Sequence, residues 1–213
     1  KTDNTTYRRL ITEIIAEFLN HITCFTNGSE IRYKTGYAYS IHDSVTATRM
    51  RKSASVFTAE LYAIHSCLSQ LTKRPPGLNY ILLSYSLFSL LSVQDPCSTN
   101  PITQRIYVTL QTLSTIQSAV TYIWIPGHIH DVVDFAAWNS ILFPEIIDPS
   151  HPPAYDLKNY YRLLVLTSWH NQWKNAYNNV IRTIKNKPIP WSSSNRKSRH
   201  QEVLLSRLRI GHI

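Results

Sequence analysis

No stretch of the 213-residue sequence approaches the roughly 20 consecutive apolar residues of a membrane span, so no membrane partner is expected. No basic-then-apolar leader opens the chain, and no signal peptide is read. The first residue is Lys1 rather than Met, so the sequence reads as a fragment or a processed product. Cysteine is scarce: Cys24, Cys67 and Cys97 form no CxxC pair. They are expected to be reduced packing residues of an intracellular protein, nuclear or cytoplasmic. Without a leader, the sequons at Asn4 and Asn27 are discounted as glycosylation sites. There is no internal repeat and no low-complexity tract. Acidic residues are few, 13 Asp and Glu against 22 Lys and Arg, for a formal charge of +9.

What is present is enough apolar residue, 43% of the chain, to build a core, which argues against global disorder. The positive charge is uneven. Residues 1–143 hold eleven Lys and Arg against nine Asp and Glu, a net of +2. Residues 144–213 hold eleven against four, a net of +7. A basic segment beside a nearly neutral domain points to a polyanionic partner, nucleic acid first. Lys185, Lys187, Arg196, Lys197, Arg199, Arg207 and Arg209 are the candidate phosphate contacts.

Apolar spacing predicts a leading helix over residues 7–19 and a strand over His21–Thr26, closed by a turn at Asn27-Gly28-Ser29. Further strands are expected over Thr35–Ile41 and Ala54–Phe57, the three forming a meander. A helix over Thr58–Leu71, capped by Thr58, follows with Leu61, Ile64, Leu68 and Leu71 on one face. Then come a strand over Tyr80–Ser84, helices over Ser86–Val93 and Pro101–Gln117, a strand over Ala119–Ile125 and a helix over Asp131–Leu142. Strands and helices in this order fit a mixed α/β sheet with helices on both faces. The proline-rich 144–153 reads as a linker, followed by helical segments over Tyr155–Ile184 and Arg196–Leu208. The boundaries expected are therefore 1–20 leading helix or linker, 21–143 domain, and 144–213 linker and basic helical extension. Trp124, Trp138, Trp169, Trp173 and Trp191 are read as core residues rather than as base-stacking platforms.

Four short segments occur in order: Cys24-Phe25-Thr26-Asn27-Gly28-Ser29, Phe57-Thr58-Ala59-Glu60-Leu61-Tyr62-Ala63-Ile64, Leu83-Ser84-Tyr85-Ser86-Leu87, and Ile123-Trp124-Ile125-Pro126-Gly127-His128 with Asp134. Together they resemble the type 1 ribonuclease H domain of insect-type non-LTR retrotransposon polyproteins. That family reads F-T-D-G-S, F-T-A-E-L-x-A-I, S-D-S-L, and W-x-P-x-H followed by N-E-x-A-D. Trp169, Trp173 and the run Leu205–His212 resemble the segment that leads to a terminal zinc knuckle in such elements, although no Cys/His cluster follows here. The resemblance implies a ribonuclease H-like fold of five strands. It also implies hydrolysis of the RNA strand of RNA–DNA hybrids with two Mg²⁺ ions about 4 Å apart. Hard dications that close together need several converging carboxylates.

Residue by residue, the resemblance assigns Glu60 and Asp134 as catalytic carboxylates and metal ligands, and His128 as the assisting histidine. Asn27 stands where the first aspartate is expected, and Tyr85 where the third is expected. Asn27 is still a candidate metal ligand, offering an amide oxygen without charge. A phenol is bulky, neutral near pH 7 and a poor Mg²⁺ ligand. The loop from His128 to Asp134 is about four residues shorter than in the family. Asp131 falls at the family's N-E glutamate and is a substitute metal ligand. The expectation is a catalytically impaired ribonuclease H-like module that binds RNA–DNA hybrid or RNA, with Mg²⁺ (or Mn²⁺) binding weak or lost. Two alternatives stand beside it. One is an active ribonuclease with a reduced ligand set, using Asp131 or a deamidated Asn27. The other is a protein-interaction scaffold that kept only the fold, since function lives in the site.

Overall fold

A computed structural model describes residues 4–18, 20–126, 131–144, 152–177, 185, 187 and 198–209. The leading helix α1 spans Asn4–Ala16, and the first strand β1 spans His21–Ile31. β1 runs straight through Asn27-Gly28-Ser29, where a turn was expected, pairing Asn27 with Ala38 and Gly28 with Tyr37 of β2 (Lys34–Ile41). The chain reverses instead at Arg32 and Tyr33, both with positive φ (49° and 66°), the left-handed conformation that a tight two-residue hairpin requires. The reason lies at Gly28. A Cβ there would meet the Glu60 backbone nitrogen at 2.7 Å, so glycine serves close approach, not reversal.

The third strand also differs from expectation. β3 is Ser44–Arg49, with its β-branched Val45, Thr46 and Thr48, and the 54–57 segment is not a strand. Helix α2 occupies Val56–Leu71, and its cap is Ser55 rather than Thr58: the Ser55 hydroxyl accepts from the Thr58 amide. β4 (Asn79–Ser84), α3 (Leu87–Gln94), α4 (Pro101–Thr115), β5 (Ala119–Trp124) and α5 (Asp131–Ser140) fall close to their expected positions. Asn100 caps α4 by accepting from the amides of Ile102 and Thr103, with Pro101 starting the helix where its missing N–H costs nothing.

The sheet order is β3-β2-β1-β4-β5. β1, β2 and β3 are antiparallel neighbours, and β4 and β5 run parallel to β1. This five-stranded mixed sheet with helices on both faces is the ribonuclease H-like fold. Strand alternation divides the core. Cys24, Tyr80 and Leu82 point to one face with Leu61, Ile64 and Leu68 of α2 and Ile102 and Ile106 of α4. Ile81 and Leu83 point to the other, where Ile11 and Ile15 of α1 pack. On that second face α5 seats Val133 and Ala137 against Ala38.

Beyond the sheet, α6 spans Ala154–Asn175 and α7 spans Arg199–Arg209. The contacts divide the chain into Lys1–Leu157 and Lys158–Ile213. The tryptophans depart from the core reading: Trp124, Trp138 and Trp169 are about half exposed, at 48%, 47% and 51%. Trp191 lies outside the described residues, and Trp173 is partly buried, its indole donating to the Lys185 carbonyl. Cys24 and Cys67 are free and buried as expected, whereas Cys97 is exposed. No helix among the described residues is long and apolar enough to cross a membrane.

Candidate functional site

The site forms where β1 passes the amino-terminal turn of α2 and the start of α5, beside the carboxyl end of β4. Side chains alternate along a strand. With Phe25 on the α5 side and Cys24 on the α2 side, Asn27 faces α5 and Gly28 faces α2. The small Gly28 lets α2 lie against β1, and this puts Glu60 beside the Gly28 amide. Asp156, buried at the start of α6, accepts from the backbone amide of Ser55 at 3.0 Å. It thus fixes the cap from which α2, and with it Glu60, begins. Sequence reading placed Asp156 in the extension and assigned it no role; only its position in the first turn of a helix was legible.

Asn27 and Asp134 meet directly: the Asn27 side-chain amide donates to Asp134 Oδ1 at 2.8 Å across 107 positions of sequence. An amide oxygen turned to the carboxylate would be repelled, so the N–H is the group that faces Asp134. Glu60 is buried, and burial pushes its carboxyl up to about 8. The Gly28 backbone amide works against this, and the Asp134 carboxylate adds to it. Its Oε2 has no partner among the described residues. Near neutral pH Glu60 therefore holds its proton, which leaves the charge of Asp134.

Tyr85 follows the last residue of β4, and its ring packs at the edge of the Ile81–Leu83–Ile125 cluster. The Trp124 indole donates to the Tyr85 carbonyl at 3.1 Å, and Ser86 caps α3 by accepting from the Ser89 amide. A pocket of about 450 Å³ opens here, lined by Asn27, Gly28, Ser29, Tyr85, Asp134, Phe135 and Trp138. Asn27, Tyr85 and Asp134 thus share one concavity, and Glu60 lies against its Gly28 wall. Phe135 and Trp138 were not assigned to a site. The available signal was their placement one and four residues after Asp134, on the turn that flanks it. His128, Arg196, Lys197 and the side chains of Asp131 and Arg209 lie outside the described residues. Of the remaining basic candidates, Lys187 and Arg207 are exposed, Lys185 is partly buried, and Arg199 is 3.5 Å from Glu202.

Among the described residues the donor set does not fit a pair of Mg²⁺ ions. Two carboxyl groups are at hand, Glu60 and Asp134, the second already receiving an amide N–H, and Tyr85 lines the same pocket with a neutral phenol. Two dications placed there would be largely unneutralised. Among the described residues no group of three or more His, Cys, Asp or Glu is placed to hold a metal ion.

No family model matches the chain, and no curated protein matches it. Solved structures do match. LC11-RNase H1, solved in complex with an RNA/DNA hybrid, is 14% identical, covers 56% of this chain and 96% of its own, and gives a TM-score of 0.48. The amino-terminal RNase H domain of Rv2228c from Mycobacterium tuberculosis is 17% identical, with coverages of 56% and 94% and a TM-score of 0.45. RNase H1 from the archaeon Halobacterium salinarum is 12% identical, with coverages of 57% and 97% and a TM-score of 0.45. The fold assignment comes from strand order and strand sense.

Proposed function

We propose that residues 21–143 are a ribonuclease H-like module of non-LTR retroelement origin, carrying a basic extension over 144–213. The module binds RNA–DNA hybrid or RNA and does not cleave it efficiently with Mg²⁺. The observation that carries this reading is the Asn27-to-Asp134 hydrogen bond. At the point where a two-ion nuclease needs converging negative oxygens, an N–H donor faces one of the two carboxyl groups that remain. The excess of basic residues in 144–213 supports phosphate binding. The deciding experiment pairs a hybrid-cleavage assay in Mg²⁺ with a hybrid-binding titration at low salt. Binding without cleavage is the expected result, and cleavage that disappears in Glu60→Gln would overturn it.

A second reading, an active ribonuclease with a reduced ligand set, is favoured by the unpartnered buried Oε2 of Glu60. An orphaned buried oxygen costs free energy unless something binds it. In that reading Asp131 and His128 complete the set. The same assay separates the two. Absence of binding at any salt would move the weight to a scaffold role.

A further inference from the structure

Resting on the nucleic-acid-binding reading above, we infer that the pocket between β1 and α5 takes a single unpaired nucleobase, so that the site recognises single-stranded rather than duplex nucleic acid. Three features combine. Phe135 and Trp138 stand on one turn of α5 with ring centroids 6.2 Å apart and planes inclined by 30°. They are 63% and 47% exposed although they line a pocket, so large aromatic surface faces water at a concave site. Exposed aromatic faces beside polar groups are how proteins hold unstacked bases, because every base has a π-face.

The second feature is the polar wall. Asn27 gives one amide N–H to Asp134 and retains a second N–H and an oxygen. Its amide therefore offers a donor beside an acceptor. Each natural base carries a neighbouring acceptor and N–H donor on its pairing edge, and that edge is free only when the base is unpaired. The third feature is size and charge. At about 450 Å³ the pocket falls within the range of small-ligand sites, roughly 300–1,000 Å³. Among the described residues that line it, Asp134 is the one carboxylate, so the wall repels a phosphate less than a cluster of carboxylates would and suits a neutral base. Tyr85, where the resemblance expects a carboxylate, adds a third aromatic ring to the lining.

The test compares three ligands on the full chain by fluorescence anisotropy at low salt: a single-stranded oligoribonucleotide, an abasic strand with the same number of phosphates, and an RNA–DNA hybrid of the same length. The single strand should bind on the order of tenfold more tightly than the abasic strand, and more tightly than the hybrid. Phe135→Ala with Trp138→Ala should abolish the difference between single and abasic strands while leaving abasic binding unchanged. Equal binding of single and abasic strands by the unmodified chain would overturn the base pocket and leave the phosphate-binding reading standing. No binding of any ligand would overturn both. Should the double variant fail to fold, the unmodified chain still decides. A strand carrying 2-aminopurine should lose emission on binding as the base stacks, and unchanged emission would refute the inference.

Discussion

The side-chain amide of Asn27 on β1 donates a 2.8 Å hydrogen bond to the carboxylate of Asp134 on α5, holding together two elements that lie 107 residues apart. Two carboxylates facing each other at this distance would repel, whereas the amide holds Asp134 by a hydrogen bond. The first consequence concerns Asn27→Asp. In the absence of divalent ions it should destabilise the chain by about 1–3 kcal/mol, because a bonded pair becomes two facing carboxylates. Combined with Tyr85→Asp it should make thermal stability rise with added Mg²⁺ or Mn²⁺, whereas the parent should respond little. Differential scanning calorimetry with and without the ions is the check. A parent response as large as that of the double variant would show that the existing donors suffice.

Burial of Glu60 gives stability a specific pH dependence. Burial raises the Glu60 carboxyl to about 8, whereas an exposed glutamate titrates near 4.5. Between these values the folded state binds more protons than the unfolded one, so stability falls as pH rises through this window. Glu60→Gln cannot ionise. It should be nearly neutral at the acid end and should stabilise the chain relative to the parent at about pH 9, on the order of a few kcal/mol. Urea unfolding at the two pH values reads this directly. A difference between the two chains that does not change with pH would mean that the carboxyl is not desolvated.

Close approach of α2 to β1 depends on Gly28. In Gly28→Ala the new methyl would sit 2.7 Å from the Glu60 backbone nitrogen and 3.0 Å from its Cγ. Backbone cannot swing aside as a side-chain tip can. The substitution should cost about 1–3 kcal/mol and should displace Glu60. Denaturant midpoints together with the pH dependence of stability would reveal both effects. An unperturbed pH profile would mean that α2 had not moved.

Phosphate contacts by the basic extension should appear as salt dependence. Binding of hybrid or RNA should weaken with a logarithmic slope of about 0.7–0.9 per phosphate neutralised, the lower figure being that of single strands. Changing Lys187, Arg199, Arg207 and Arg209 to Gln should flatten that slope, by about one for each residue that contacts a phosphate. Titrations at several salt concentrations supply the measurement. A slope that stays the same would assign phosphate binding elsewhere on the chain.

Much of the architecture was legible because local chemistry and global fold agree. The apolar spacing of Leu61, Ile64 and Leu68 made α2 readable, as did the apolar run of β4 and the Asn100-Pro101 start of α4. The order of these elements then pointed to a mixed sheet. The misread turn at Asn27-Gly28-Ser29 fails for a tertiary reason. Asn-Gly is a turn signal within a short window, but here glycine answers to the α2 backbone crossing close by. The misplaced third strand fails similarly: Ser55, Thr35 and Asp156 fix 54–58 as a cap, through contacts to the Thr58 amide, the Ala54 carbonyl and the Ser55 amide.

By itself the sequence determined which carboxylates exist, that positions 27 and 85 carry an amide and a phenol without formal charge, and that the positive charge is gathered after residue 143. Covalent identity and spacing fix these before folding. Only the tertiary structure decided that the Asn27 amide bonds Asp134, that Glu60 is buried deeply enough to keep its proton near neutral pH, and that Phe135 and Trp138 open onto a pocket. Desolvation and hydrogen-bond direction depend on which distant segments come together and on what they exclude from water, and one-dimensional spacing carries neither.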